Sequence, residues 1–400
     1  MRIGIFTETF TPDINGVVTS VVSLKKALEA HGHEVYVVTN HANIIKTVYD
    51  EENRILRLPG IKLDFLYGYK ISSPIQLQAN KTIKDWNLDV IHIQQEFGIG
   101  TYGRFLASHW EIPLLNTYHT TYEDYTHYVN ILDSSLVEKF SKKVVEIYSK
   151  SFTKRSNIII SPSEKTKEML EGYGINKLIK VIPTGLDLEN FNVANTSEAE
   201  KEEIISKYNI NPDDTIFTYV GRIAKEKSID EVIIAFSEIK EKALKAKLLI
   251  VGGGPDLDDL KKLASKLDLN DYVFFEGQVD SSEVAKYYHT AHAFISASTT
   301  ETQGLTYIEA LASGLAVFAK EDDVLNQIVI EGETGYFFAD SSELASKIET
   351  FIKHPEVKEE IYQNALAMSK KYSLEEYYNK IIETYKEAIE IEENEKNYFD

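Results

Sequence analysis

Ser298–Gly314 reads STTETQGLTYIEALASG and follows, after Ala297, the run Ala293–Ser296 (AFIS). This pattern predicts a strand ending near Ser296, a Thr-rich loop, a glycine at position 304, and a helix beginning near Leu305–Tyr307. A strand that feeds a helix through a loop is half of a βαβ unit, so a recurrence of the pattern implies a parallel sheet. It recurs on both sides. In the second half, Thr215–Val220 (TIFTYV), Lys247–Val251 (KLLIV), Val273–Glu276 and Ala316–Ala319 are runs of the same kind, with helices such as Ile229–Lys242 and Ser282–His289 between them. In the first half, Arg2–Thr7 (RIGIFT), Glu34–Thr39 (EVYVVT), Asp89–Ile93 (DVIHI), Pro113–Tyr118 (PLLNTY) and Asn157–Ser161 (NIIIS) repeat it, with a helix over Val18–His31. Apolar runs without alternation belong to strands covered on both faces. The expected fold class is α/β: two doubly wound parallel-sheet domains in series, with the cleft between them as the default active site.

The junction is placed near residue 190, where Val181–Asp187 (VIPTGLD) gives way to Ser/Glu/Lys-rich sequence around Asn195–Lys207. This predicts a first domain over 1–190 and a second over 191–372. The acidic tail Ile389–Asp400 (IEIEENEKNYFD) is expected to fray.

Length and charge agree with two soluble bodies. The 400 residues are 43% hydrophobic and 26% charged, enough apolar material for real cores. No apolar run approaches the about 18–20 residues that span a bilayer, and the opening MRIGIFT reads as a strand rather than a secretory leader. The absence of cysteine excludes a disulfide scaffold, a thiol nucleophile and a thiolate metal site, and fits a reducing compartment. The net charge of −20 argues against nucleic acid as a partner. It is unevenly spread: residues 1–190 sum to −1 and residues 191–400 to −19. Only the first half approaches an anionic surface cheaply.

Ligands of open parallel sheets sit beyond the carboxyl ends of the strands, so the residues just after each strand carry the candidate chemistry. In Ser298–Gly314, Gly304 allows a ligand close to the backbone, and the helix after it offers N–H groups to phosphate. Glu301 in the loop and Glu309 in the helix are carboxylates suited to sugar and ribose hydroxyls, although acidic pairs at this spacing are common in an acidic chain. Gly221–Ser228 (GRIAKEKS) follows another strand. Glu226 stands where a kinase-type phosphate loop needs its second glycine, which leaves Arg222 and Lys227 to neutralise a diphosphate. A solvated basic turn is an equal reading of those residues alone. Val251–Pro255 (VGGGP) brings Gly252 and Gly253 to a strand end without GxGxxG spacing; it is a nucleotide contact or a plain tight turn.

In the first half, Thr9–Val18 (TFTPDINGVV) puts Gly16 at a helix start, a place for an anion or simply a structural turn. His119 follows Pro113–Tyr118 and could hydrogen-bond a substrate. No His/Asp/Glu set has metal-ligand spacing, and no GxSxG elbow occurs. Leu136–Ser156 carries Lys139, Lys142, Lys143, Lys150, Lys154 and Arg155 against two glutamates, with apolar residues at helical spacing. A helix of this kind lies on an anionic membrane or turns a solvated lysine face outward; the charge asymmetry of the two halves tilts the choice toward the membrane.

Taken together, the TPDINGVV loop, YHT, VIPTGLD, GRIAKEKSID, VGGGP and the Glu-x7-Glu segment ETQGLTYIE resemble the retaining GT-B fold glycosyltransferases of family 4, which use nucleotide sugars. The resemblance spans nearly the whole chain. Within the family, ETFTPDINGVVTSV, IHIQQEFGIG and YHTTYEDYTHYV resemble the bacterial diacylglycerol glucosyltransferases, which make glycolipids at the inner membrane face. The resemblance implies transfer of glucose from UDP-glucose to 1,2-diacylglycerol with retention, by a peripheral enzyme of the inner face of the cell membrane. It also implies a C-terminal helix, Ser373–Ile389 onward, that crosses back to the first domain. Carried over motif by motif, Arg222 and Lys227 hold the donor diphosphate, Glu309 the ribose, and Glu301 the transferred sugar. Backbone at Gly304 and Leu305 approaches sugar and phosphate, Gly16 lies near the diphosphate, and His119 contacts the sugar or its developing charge. Charge on the leaving diphosphate falls to Arg222 and Lys227, so no metal cofactor is required and Mg2+ stimulates at most non-specifically. Two alternatives keep the fold: the same transfer to a glycolipid, a polyprenyl-linked oligosaccharide or a soluble sugar, and a GT-B nucleotide-sugar epimerase.

Overall fold

The computed structural model describes the chain apart from residues 14, 42–45, 64–68, 75, 120–134 and 400, and apart from the side chains of 62, 63, 69–71, 135–142, 398 and 399. The chain forms two compact units, Met1–Gly185 with Leu374–Asp400, and Leu186–Ser373.

The first unit is built on a sheet of nine strands among the described residues: β1 Arg2–Phe6, β2 Glu34–His41, β3 Val48–Asp50, β4 Ile55–Leu63, β5 Tyr69–Ser72, β6 Val90–Ile93, β7 Leu114–Thr117, β8 Ile158–Ser161 and β9 Leu178–Val181. Its order is β3-β4-β2-β1-β6-β7-β8-β9, with β5 on β4. From β4 to β9 the pairing is parallel, whereas β3 and β5 run antiparallel to β4. The β3–β5 elements were not expected. Pro59 and Gly60 interrupt β4, and both residues disguise a strand in sequence. The second unit has the parallel order β12-β11-β10-β13-β14-β15, from β10 Thr215–Val220, β11 Ala246–Val251, β12 Val273–Gly277, β13 Ala293–Ser296, β14 Ala316–Lys320 and β15 Gly335–Phe338.

Both sheets therefore reverse direction once. β1 registers with β2 on one side and β6 on the other, Ile3 opposite Val90 and Phe6 opposite Ile93. β10 lies likewise between β11 and β13, Phe217 opposite Ala293. At such a switch point the two connecting helices leave on opposite faces and open a crevice at the strand ends. The helix Gly16–Ala30 starts where the Asn15 side chain accepts from the Val18 N–H at 3.0 Å, which satisfies one of its free amides. The helix Leu305–Ala312 starts directly after Gly304 and buries Tyr307, Ile308, Ala310 and Leu311 in the second unit's core.

The last helix, Leu374–Phe399, belongs to the first unit. Tyr377, Ile381, Ile382, Tyr385 and Ala388 pack with Ile3, Ile5, Val21, Leu24, Val35 and Leu115, each large side chain worth about 1.5–3 kcal/mol of burial. The expectation of a frayed tail is corrected here, since the helix continues through the acidic stretch to Phe399. Glu392 is 4% exposed and accepts from Arg155 Nη2 at 3.1 Å and from Asn157 Nδ2 at 2.8 Å. Lys396 Nζ donates to the Glu111 carbonyl at 2.8 Å. Among the described residues, no helix is long and apolar enough to cross a membrane.

Candidate functional site

At the switch point of the second sheet, the loops after β10 and β13 meet. Lys227 ends a single 3-10 turn, Lys225–Lys227, and Ser228 then turns left-handed (φ 47°) into the helix Ile229–Glu241. A non-glycine residue held there marks a constrained loop. The turn aims Lys227 across the crevice, where Nζ donates to Glu301 Oε1 at 2.6 Å and to Ser298 Oγ at 3.4 Å. Both side chains are largely shielded, 23% and 13% exposed. Arg222 stands at the strand end with its guanidinium 4.0 Å from Glu226. Beside Glu301, Thr300 Oγ1 is buried and has no hydrogen-bond partner in the protein, an uncommon state for a native hydroxyl.

Gly304 adopts φ 77°, a backbone conformation that favours glycine, and a Cβ there would also press on the Leu325 side chain, 2.8 Å from its Cδ2. Leu305 is the first residue of the following helix. Four residues further on, Glu309 accepts the Tyr288 hydroxyl at 2.9 Å, and burial pushes its carboxyl up to about 7. Near neutral pH it thus both donates and accepts hydrogen bonds.

The VGGGP turn is stitched to the GRIAKEKS loop. Gly221 N–H donates to the Val251 carbonyl at 3.0 Å and Ile223 N–H to the Gly253 carbonyl at 2.9 Å. A Cβ on Gly252, which has φ 144°, would lie 1.8 Å from the Gly221 carbonyl oxygen, and one on Gly254 would lie 1.9 Å from that of Ile223. Loop-on-loop packing therefore accounts for these two glycines. At Gly253 the nearest atom would be Gln278 Cβ, at 3.4 Å. Gly252→Ala is expected to destabilise the chain by about 2–4 kcal/mol, and Gly253→Ala by less than about 1 kcal/mol. Urea melts of the two variants check the contrast.

At the switch point of the first sheet, different residues gather. Glu8, just after β1, accepts from the Ile99 N–H at 2.5 Å and from Asn40 Nδ2 at 2.7 Å, and burial raises its carboxyl to about 7. Gln95, just after β6, accepts from the Thr7 and Thr9 hydroxyls at 3.0 and 3.1 Å and from the Thr9 N–H at 2.9 Å. His119 lies two residues beyond β7 and donates through Nε2 to Gln94 Oε1 at 2.6 Å. Desolvation lowers His119 to about 4, so its ring is neutral at physiological pH. Gly16 is the first residue of the helix Gly16–Ala30 and is exposed. The sequence reading gave Glu8, Gln94 and Gln95 no role, although they lie in ETFTPDINGVVTSV and IHIQQEFGIG and within two residues of a strand end. The segment beyond His119 falls outside the described residues.

The basic helix spans Ser135–Thr153. Lys143, Lys150 and Lys154 are exposed, and the first two flank Glu146 at 2.7 and 2.8 Å. Arg155 is engaged by Glu392, and the side chains of Lys139 and Lys142 lie outside the described residues. The same helix shows Val144, Ile147 and Tyr148 to solvent at 49%, 59% and 36% exposure, with Phe97 stacked on Tyr148. Among the described residues, no group of three His, Asp or Glu side chains is arranged to hold a metal ion.

Two doubly wound sheets, each with its polar loops at a switch point, and a final helix returned to the first unit define the GT-B class of sugar transferases. Two family models match in tandem, Glycosyltransferase Family 4 over residues 14–190 and Glycosyl transferases group 1 over residues 200–368. The chain belongs to the GT-B glycosyltransferases of family 4 and is a hexosyltransferase. It is 36% identical over 379 residues to the alpha-monoglucosyldiacylglycerol synthase of Acholeplasma laidlawii, covering 94% of each chain. It is 35% identical over 394 residues to the protein of that name from Streptococcus pneumoniae, covering 97% of this chain and 86% of the relative. Among solved structures it resembles sucrose-phosphate synthase from Thermosynechococcus elongatus, with a TM-score of 0.76 at 21% identity over 96% of this chain and 98% of the other.

Proposed function

We propose that this enzyme is a peripheral membrane protein of the inner face of the cell membrane that moves glucose from UDP-glucose to 1,2-diacylglycerol with retention of configuration. The observation that carries the donor half is the Lys227–Glu301 pair beside the left-handed Gly304 turn, a cation and a carboxylate 2.6 Å apart at the switch point. The acceptor half draws its support from the two relatives named alpha-monoglucosyldiacylglycerol synthase, which match over nearly the full chain. In this proposal the second unit binds the donor and the first serves the acceptor and the membrane.

Arg222 and Lys227 hold the diphosphate and stabilise the charge that builds on it. Glu309 takes the ribose, while Glu301 and the unpartnered Thr300 hydroxyl take the transferred sugar. The backbone of Gly304 and Leu305, and of Gly252 and Gly253, lies along the donor, with Gly16 near the diphosphate. The bond from the anomeric carbon to the diphosphate oxygen breaks, and the acceptor oxygen attacks the oxocarbenium-like carbon on the same face. Its proton passes to the departing phosphate oxygen, so no separate base and no metal is needed. Glu301 orients the sugar and supports its positive charge rather than acting as a nucleophile. His119 serves the same sugar.

The test is an incubation with diacylglycerol-containing anionic liposomes and a panel of UDP- and GDP-sugars, with and without EDTA, followed on thin-layer plates. A glycolipid formed from UDP-glucose and undiminished by EDTA is the expected result. A donor consumed without a lipid product would move the acceptor elsewhere, and an epimerised donor sugar would replace transfer altogether. Changing Lys143 and Lys150 to Gln is expected to weaken liposome binding about 30-fold at low salt, at about 1 kcal/mol per charge. Unchanged flotation would remove the helix from the membrane contact.

A further inference from the structure

We infer that Gln94 is the positioning residue for His119, its side-chain amide dictating which ring nitrogen carries the proton, and that His92 and Tyr385 anchor that amide to the C-terminal helix. The inference rests on the proposal above that His119 serves the transferred sugar. Gln94 is fixed at both ends. Its backbone N–H donates to the Phe6 carbonyl at 2.8 Å, tying the residue to β1. Its side chain, fully buried, reaches His119 Nε2 through Oε1 at 2.6 Å and His92 Nε2 through its amide nitrogen at 3.0 Å.

His92 is fully buried in turn, with Thr117 Oγ1 2.7 Å from Nε2 and the Tyr385 hydroxyl 2.8 Å from Nδ1. The His92 and Tyr385 rings meet edge to face, at 89°. Tyr385 itself is locked in the apolar cluster that holds the last helix on the first unit. With the amide oxygen on His119 and the amide nitrogen on His92, the order of donation is set. His119 Nε2–H gives to Gln94, Gln94 gives to His92 Nε2, whose single lone pair the Thr117 hydroxyl shares, and His92 Nδ1–H gives to the Tyr385 oxygen. His119 is then left with an unprotonated Nδ1, an acceptor for a hydroxyl hydrogen.

A row of four interior polar side chains is costly unless every member is partnered, and such a network specifies one arrangement when it is. Here the row leads from the core to a half-buried histidine at the strand ends, where a merely structural role would be filled as well by apolar residues. Within the row, the titratable groups facing His119 are His92 and, beyond it, Tyr385. Burial lowers His92 to about 3 and raises Tyr385 well above its ordinary value, so neither carries charge at physiological pH.

The experiment is ring nitrogen NMR on the full chain carrying 15N-labelled histidine, with His119 assigned by its loss in His119→Asn. The wild-type protein is expected to show the Nε2–H form of His119, neutral from pH 5.5 to 8. Gln94→Glu is expected to bring its titration into that range, with a matching ionisation in kcat/KM. Gln94→Leu is expected to lower kcat about 10- to 100-fold, as loss of an outer partner commonly does, with donor KM within twofold and a lower melt, because His92 and His119 each lose a partner. An Nδ1–H form in the wild type, or a His119 titration that ignores Gln94→Glu, overturns the inference, and the wild-type spectrum needs no variant to fold. Full activity of His119→Ala with the Nε2–H form intact overturns instead the role of His119 on which it rests.

Discussion

Lys227→Ala is expected to lower kcat/KM by about two to three orders of magnitude, the usual cost of removing one charge-stabilising group from a reacting site. At about 1.4 kcal/mol per factor of ten, this is a loss of about 3–4 kcal/mol of transition-state stabilisation. The effect is expected mainly in kcat. Lys227 already has a carboxylate partner in Glu301 at 2.6 Å, so a bound diphosphate gains little until its charge grows as the glycosidic bond breaks. Lys227→Arg is expected to recover only part of the loss, because a planar guanidinium does not reproduce the point charge aimed between Glu301 Oε1 and Ser298 Oγ. Arg222→Ala is expected to cost less, since that side chain is 44% exposed. Nucleotide release and glycolipid formation, measured with saturating and sub-saturating donor, separate kcat from KM. Turnover within threefold of wild type for Lys227→Ala would remove it from the diphosphate.

Glu392→Ala is expected to cost about 2–3 kcal/mol of stability. The carboxylate holds the Asn157 amide at 2.8 Å and Arg155 at 3.1 Å, and Asn157 in turn accepts from the Leu114 N–H at 2.8 Å. Removing Glu392 strands a buried amide at the β7–β8 boundary, while the partly exposed Arg155 recovers water and moderates the loss. In a unit of this size the deficit corresponds to a Tm lower by about 5–10 °C. Glu393→Ala, one residue further along the same helix on its exposed side, is the control and is expected to change Tm by less than about 1 °C. Equal melting of the two variants would mean that Glu392 does not hold the helix end.

The acidic tail shows why composition misled. Ile389–Asp400 carries four glutamates and one aspartate against one lysine, which reads locally as a solvated, fraying end. What holds it is Glu392, placed opposite Arg155 and Asn157 more than 230 residues away in sequence, together with Lys396 on the Glu111 carbonyl and Ile389 and Ile391 against the core. The β3–β5 elements escaped for a different reason, namely a proline and a glycine inside β4. Lys227 and Glu301 were legible as residues after strands, but 74 positions separate them, and their contact exists only because β13 pairs directly with β10.

By itself, then, the sequence determined the element types outside β3–β5, the parallel part of both sheets, the charge contrast between the halves and the loops where polar chemistry collects. These are local properties: a continuous apolar run buries both faces of a strand wherever the strand goes, and a glycine frees the backbone wherever it stands. Tertiary structure alone decided which strand ends adjoin and therefore which side chains meet. Glu8, His92 and Gln94 lie inside ETFTPDINGVVTSV and IHIQQEFGIG, but nothing within those stretches assigns any of them a role. Their roles are defined by hydrogen bonds to β1, β2, β7 and the last helix, and a hydrogen bond short enough to orient a proton depends on atoms from distant parts of the chain arriving within 3 Å of one another.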